Sequence, residues 1–141
     1  MSPPAPLLAL LQHIGQAPDP RQKLKLLVQL SEKLSLLPLQ DRTPERKVFG
    51  CNTQVYVKSS VFDQQVSIQG WSDAFVVQGL LALLSRGFEG CAPQTILRLE
   101  PSFIQETGLN LSLTPSRTNG FLLIFHKIQM QIIQACYETS V

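Results

Sequence analysis

The sequence predicts an α+β fold: a small antiparallel three-stranded sheet packed against helices. Three observations carry this expectation. Helical periodicity occupies both ends of the chain, with Leu24, Leu27, Val28, Leu30, Leu34 and Leu37 on an early stripe and Phe121, Ile124, Phe125, Ile128, Ile132 and Ala135 on a late one. Between them the period drops to two, in Val55-Tyr56-Val57-Lys58 and in Val66-Ser67-Ile68-Gln69. Helices and strands are thus segregated along the chain rather than alternating, which separates α+β from α/β.

Each element has local signals. Leu7 to Ile14 reads as a short helix ended by Gly15, and Asp19-Pro20 as a cap followed by proline at the first helical position. The helix it opens carries the leucine stripe, and Pro38 ends it. Leu39 to Glu45 is a polar connection. The segment before Cys51 supplies one strand, and Ser59 to Gln65 connects the other two as a hairpin. Ser72 is the expected N-cap of a helix over Ala74 to Arg86, with Asp73 suited to the positive end of its dipole. That helix is apolar nearly all round, which marks the buried centre of a fold, and Gly79 within it implies close approach to the sheet. Gly87 stops it. Pro93 to Leu99 forms another short helix, and Ser102-Phe103-Ile104-Gln105 has capping-box spacing before Gly108. Thr114-Pro115 repeats the cap-plus-proline signature before the last helix.

At 141 residues, with 44% hydrophobic and 16% charged, the chain fits one globular domain over 1–141. A net charge of +2 is too small to argue for nucleic acid or a membrane surface, and no apolar run reaches membrane-spanning length. No lysine or arginine precedes Arg21, which argues against a secretory signal or an arginine-rich transit peptide. The three cysteines, Cys51, Cys91 and Cys136, are odd in number, so reduced thiols in the cytoplasm are expected. Without Cys-x-x-Cys or a Cys/His cluster, a structural zinc site is not expected.

Chemistry concentrates on Cys51. Gly50 permits backbone angles a side chain forbids, and Asn52 and Thr53 are turn formers, so the thiol sits on a tight turn at the mouth of the sheet. A buried structural thiol is the ordinary fate of a free cysteine, and the turn argues against it here. Reactivity would depend on thiolate character. Arg46 and Lys47 are close in sequence and Arg117 is in the first turn of the last helix, but spacing does not decide whether any reaches the sulfur. Arg117 reads equally as a surface salt bridge or as an anion or partner contact. Flanking Val48, Phe49 and Val55 would shelter the resting thiol. Cys136 falls on a core face. Cys91 follows Gly90 in a loop, where a resolving role for Cys51 is a minor option. His13 and His126 stand apart from any acid, Trp71 is a packing anchor, and Asp73 is a cap residue. No phosphate loop, carboxylate pair or metal motif is present. A thiol without a visible base suits transfer between sulfurs better than hydrolysis.

Asp41-Arg42-Thr43-Pro44, Gly50-Cys51-Asn52-Thr53-Gln54-Val55-Tyr56, Ser72-Asp73-Ala74 with Gly79-Leu80-Leu81-Ala82, and Leu113-Thr114-Pro115-Ser116-Arg117-Thr118-Asn119-Gly120 resemble, in order and over nearly the whole chain, the SufE family of sulfur acceptors. The resemblance implies the fold shared with IscU scaffolds and Cys51 as persulfide acceptor, with Gly50, Gln54, Asp73 and Arg117 in supporting or partner-binding roles. It implies a SufS-type or CsdA-type cysteine desulfurase as partner, itself a pyridoxal-phosphate enzyme that the chain stimulates. SufBCD would be the recipient. The chain would be an accessory protein without its own cofactor or metal, a monomer or weak dimer. Trp71, where members often have an acid, and Tyr56, in place of a common tryptophan, depart from the pattern. An IscU-like iron–sulfur scaffold is the competing function, and a thiol enzyme or redox sensor using a Cys51–Cys91 disulfide a third.

Overall fold

The computed structural model describes residues 3–106 and 108–140; Met1 and Ser2, the start of the segment read for a leader, lie outside them. Two N-terminal helices, α1 (Ala5–Gly15) and α2 (Pro20–Leu30), precede the strands β1 (Val55–Phe62) and β2 (Gln65–Ser72). Four helices follow: α3 (Phe75–Gly87), α4 (Pro93–Arg98), α5 (Phe103–Glu106) and the long α6 (Pro115–Ser140). The architecture is α+β, as expected.

The sheet has two strands rather than three. β1 and β2 pair antiparallel from Val55 opposite Ser72 to Phe62 opposite Gln65. The connection is only Asp63-Gln64, at φ of +53° and +64°, a left-handed pair suited to a two-residue hairpin. The expected seven-residue connection Ser59 to Gln65 is therefore mostly strand. The segment before Cys51 makes a single bridge, Lys47 to Tyr56, with Val48 N–H donating to the Val55 carbonyl at 2.9 Å. It cannot extend into a strand. A 3-10 turn at Pro44–Arg46 precedes it, and Gly50 at φ +93° turns the chain away.

Both hairpin edges are satisfied by other means, which a two-stranded sheet requires to avoid exposed ladder groups. On the β1 side, Gln131 of α6 acts like a strand residue: its Nε2 donates to the Val57 carbonyl at 2.8 Å and its Oε1 accepts from Ser59 N–H at 2.9 Å. On the β2 side, Gly70 N–H donates to the Ser35 carbonyl and Leu37 N–H to the Gly70 carbonyl, both at 3.0 Å. Further along, Val66 N–H donates to the Cys91 carbonyl at 2.9 Å.

Helix α3 is the centre of the fold, with Val77, Gly79 and every residue from Leu80 to Ser85 buried. It packs on β2, α1 and α2. Gly79 marks close approach to α2 rather than to the sheet, since a methyl there would overlap the Leu27 carbonyl. Helix α2 ends at Leu30, earlier than Pro38, where Ser31 Oγ donates to the Val28 carbonyl at 2.6 Å and the chain tightens into a 3-10 turn. The N-cap of α3 is Ala74 rather than Ser72. Buried Ser72 instead accepts from Ala74 N–H at 3.2 Å. Asp19 caps α2 through Gln22 N–H at 2.8 Å, and Thr114 Oγ1 accepts from Arg117 N–H at 3.2 Å at the start of α6. Phe103, Phe121 and Phe125, with ring centroids 5.7 to 6.4 Å apart, seat α6 in the core.

Candidate functional site: a sheltered thiol under the start of the last helix

Cys51 lies half-buried at the junction of the β1 entry, α3 and the first turns of α6. It lines a cavity of about 30 Å³ together with Asn52 and Thr53 of its own loop, Val77 and Leu80 of α3, and Ser116, Arg117, Gly120, Phe121 and Ile124 of α6. Val77, Leu80, Phe121 and Ile124 make an apolar wall, and Asn52, Thr53, Ser116 and Arg117 supply the polar lining. The volume admits one or two water-sized groups. A methyl on Gly120 would sit 3.6 Å from the Cys51 Sγ, so α6 passes directly over the sulfur.

Two clasps hold the loop. Asn52 Nδ2 donates to Ser116 Oγ at 2.7 Å, tying the loop tip to α6. On the other side Gln54 N–H donates to Asp73 Oδ1 at 3.1 Å and Asp73 N–H to the Gln54 carbonyl at 3.3 Å, tying the loop exit to the end of β2. Asp73 therefore works as a loop anchor, not as the helix cap expected of it. Gly50 is the pivot: its φ of +93° suits glycine, and a methyl there would press Leu123 Cδ1 at 3.0 Å.

The electrostatics around the resting thiol answer what spacing left open. Burial alone pushes the Cys51 thiol up from its ordinary value, because the apolar wall disfavours the charged form. Arg46 is turned away, donating from Nη1 to the Asp41 carbonyl at 2.9 Å with the Asp41 carboxylate 3.9 Å distant. Lys47 lies over the Phe49 ring, 5.5 Å from its centroid. Val48 and Val55 are buried as expected, whereas Phe49 is 65% exposed and shelters nothing. At rest the thiol is protected rather than activated.

Of the residues singled out from sequence, Gly50, Cys51, Gln54, Asp73 and Arg117 converge on this one place. His13 and His126 are exposed and line no part of the cavity. Cys91 sits beside Val66, near the opposite end of the hairpin from the Val55–Ser72 pair where the Cys51 loop enters. Six residue steps separate these ends, about 20 Å along the strands, too far for a disulfide without large rearrangement. Cys136 is half-buried against the core, as expected. Among the described residues no group of three or more His, Cys, Asp and Glu side chains could hold a metal ion. Trp71 and Tyr56, the two departures from the family pattern, stand opposite each other on the hairpin. Their rings are 6.3 Å apart, and the Arg42 guanidinium lies 4.3 Å from the Trp71 ring centroid. Asn52 is expected as a turn former and Ser116 and Gly120 stand within the quoted motifs, but no site role is read for any of the three. The Asn52–Ser116 contact has no local signal in the sequence, because it joins residues 64 apart.

A family model described as "SufE: Fe-S metabolism associated domain" matches residues 9–132. An uncharacterized SufE-like protein of Synechocystis is 39% identical over 130 residues, covering 92% of this chain and 82% of that one. The cysteine desulfuration protein SufE of Plasmodium falciparum is 31% identical over 79% of this chain and 47% of its own length. The chloroplastic/mitochondrial SufE-like protein 1 of Arabidopsis thaliana is 33% identical over 92% of this chain and 35% of its own. The chain thus spans less than half the length of these two relatives. The solution structure of a hypothetical protein from Thermus thermophilus superposes with a TM-score of 0.84, covering 97% of this chain and 99% of that one at 25% identity. The chain belongs to the SufE family.

Proposed function

We propose that this chain, acting as one domain over residues 1–141, takes sulfur from a cysteine desulfurase onto Cys51, stimulates that enzyme, and passes the sulfur to an assembly complex of the SufBCD type. The family and the desulfuration proteins among its relatives support a sulfur-transfer role beside a desulfurase. The observation that carries Cys51 is its place: a thiol under α6, facing a small cavity that an arginine lines.

The step balances without an outside oxidant. The Cys51 thiolate attacks the outer sulfur of a persulfide on the desulfurase cysteine. A new S–S bond forms at Cys51 as the donor's S–S bond breaks, and the donor cysteine leaves as a thiolate that takes up the proton Cys51 released. The cavity has room for one added sulfur, and Arg117 is the cation available to hold a persulfide anion there. Burial raises the resting thiol, so an opened loop or compensating charge from the partner would favour the attacking thiolate. The proposed compartment is the cytoplasm, although the Arabidopsis relative's name assigns that protein to organelles. No helix among the described residues is long and apolar enough to cross a membrane.

Incubation with a purified SufS-type desulfurase and cysteine, followed by intact-mass measurement, tests the reading. The expected product carries one added sulfur atom on Cys51, removable by reductant. Retention of that mass by Cys51→Ser would overturn the assignment.

A further inference from the structure

A second surface lies away from the thiol. Arg21, Lys25, Gln29 and Lys33 follow one another at four-residue spacing along α2 and the turn that continues it, and all four are exposed. On a helix this spacing places side chains in one row. The row borders two grooves that share His13, Leu26 and Gln29 and so form one continuous channel between α1 and α2. Its floor is apolar, made by Leu10, Leu26 and Leu30, each half-buried against the core. Arg86, at the last turn of α3, also lines it. Among the described residues no carboxylate lines either groove.

Among the described residues these cations make no ion pair or side-chain hydrogen bond. Among the described residues the one ion pair is Arg46 with Asp41. The nearby Lys23 is committed, donating from Nζ to the Gly15 and Ala17 carbonyls at 2.9 and 2.6 Å, but it is not part of the row. Four free cations thus rim one apolar channel, on a chain whose net charge is only +2. From Arg21 to Lys33 the row runs about 18 Å at helical rise, the length of three helical turns.

We propose that the α1–α2 channel is a docking site for an acidic amphipathic helix of a partner protein, about 12 residues long. Leucine-type side chains at three- and four-residue spacing would lie on Leu10, Leu26 and Leu30. Glutamates flanking that stripe would meet Arg21, Lys25, Lys33 and Arg86. The site leaves the thiol free. Arg86 stands six residues beyond Leu80 on α3, roughly 9 Å further along the helix from the Cys51 cavity. A partner could hold this channel while Cys51 is in use, and the proposal does not depend on sulfur transfer.

The probe is a fluorescein-labelled helical peptide of 14 residues with leucines on one face and glutamates beside them, titrated by fluorescence anisotropy. A dissociation constant of about 10 µM is expected at low salt, weakening roughly tenfold between about 0.05 and 0.5 M salt. Arg21→Glu/Lys25→Glu/Lys33→Glu should abolish binding, and the milder Arg21→Gln/Lys25→Gln/Lys33→Gln should weaken it about tenfold. Lys58→Glu, on β1, should leave it unchanged. Binding of the same peptide to the triple glutamate variant would overturn the proposal. So would equal binding of a scrambled peptide of the same composition, which reduces the surface to non-specific charge, or no binding of either peptide by the unaltered protein.

Discussion

Cys51 and Cys91 look alike in sequence and sit in like backbones. Each follows a glycine in the left-handed region, Gly50 at φ +93° and Gly90 at +76°, each is half-buried, and each thiol is pushed up by burial. They differ in what faces them. Cys51 looks into a cavity lined by Arg117, and its loop is held by side chains from α6 and the end of β2. The Cys91 loop is held by backbone pairs with Val66 and Phe88, its sulfur lies 3.9 Å from the Gly87 carbonyl, and Glu89 adds a like charge that also raises it. A Gly-Cys turn is therefore not a site. Arg117 lines the cavity at the Cys51 end of the hairpin, whereas at the other end the Glu89 carboxylate acts against an anionic Cys91.

The sharpest break of this comparison is exchange of the thiols. Cys51→Ser should abolish sulfur acceptance from a desulfurase, whereas Cys91→Ser should leave the added mass and its rate unchanged. Loss of acceptance in Cys91→Ser, in a protein with native circular dichroism, would remove the distinction.

Arg117 comes next. Arg117→Ala should slow transfer about tenfold, and Arg117→Lys should recover part of it, since a point charge replaces a planar donor. The pH midpoint for alkylation of the resting Cys51 thiol should not move, because burial alone sets its direction. A shifted midpoint would show the arginine already paired with the sulfur at rest.

The two cysteines also separate what sequence can show from what it cannot. The hairpin strands, the Asp19 and Thr114 caps and the central buried helix were legible because each is a local pattern of period, cap or turn. The expected third strand, in the segment before Cys51, is reduced to a single bridge because a 3-10 turn at Pro44–Arg46 precedes it and the left-handed Gly50 turns the chain away. Gln131 taking the place of that strand was invisible, being a contact across 72 and 74 residues. Cys51 itself was found through its turn and its resemblance. The raised thiol pKa and the Asn52–Ser116 clasp depend on packing between distant segments, which one sequence does not encode locally.

The clasp gives a smaller effect. An exposed neutral hydrogen bond contributes about 1 kcal/mol, so Asn52→Ala or Ser116→Ala should raise the opening of the Cys51 loop roughly fivefold. Iodoacetamide alkylation of Cys51 should accelerate by that factor while Cys91 keeps its rate. Equal rates in variant and parent would mean that the loop is held by Asp73 alone.

The glycines give the smallest contrast. Alanine at either position meets the same backbone penalty of about 1 kcal/mol for a left-handed residue. At Gly90 nothing lies within 4 Å of the added methyl, so the cost should stop there. At Gly50 the methyl also presses Leu123 Cδ1 at 3.0 Å, so Gly50→Ala should be the more destabilising in urea titration. The pH dependence of the same titrations carries the thiols. A folded pKa raised above the ordinary 9.0 means that the unfolded chain loses its thiol proton first. The stabilisation is complete below that value and declines as pH rises through it toward the folded pKa. Cys51→Ala should flatten part of this alkaline decline, and Cys91→Ala another part. A decline unchanged in both variants would show that neither thiol is desolvated in solution.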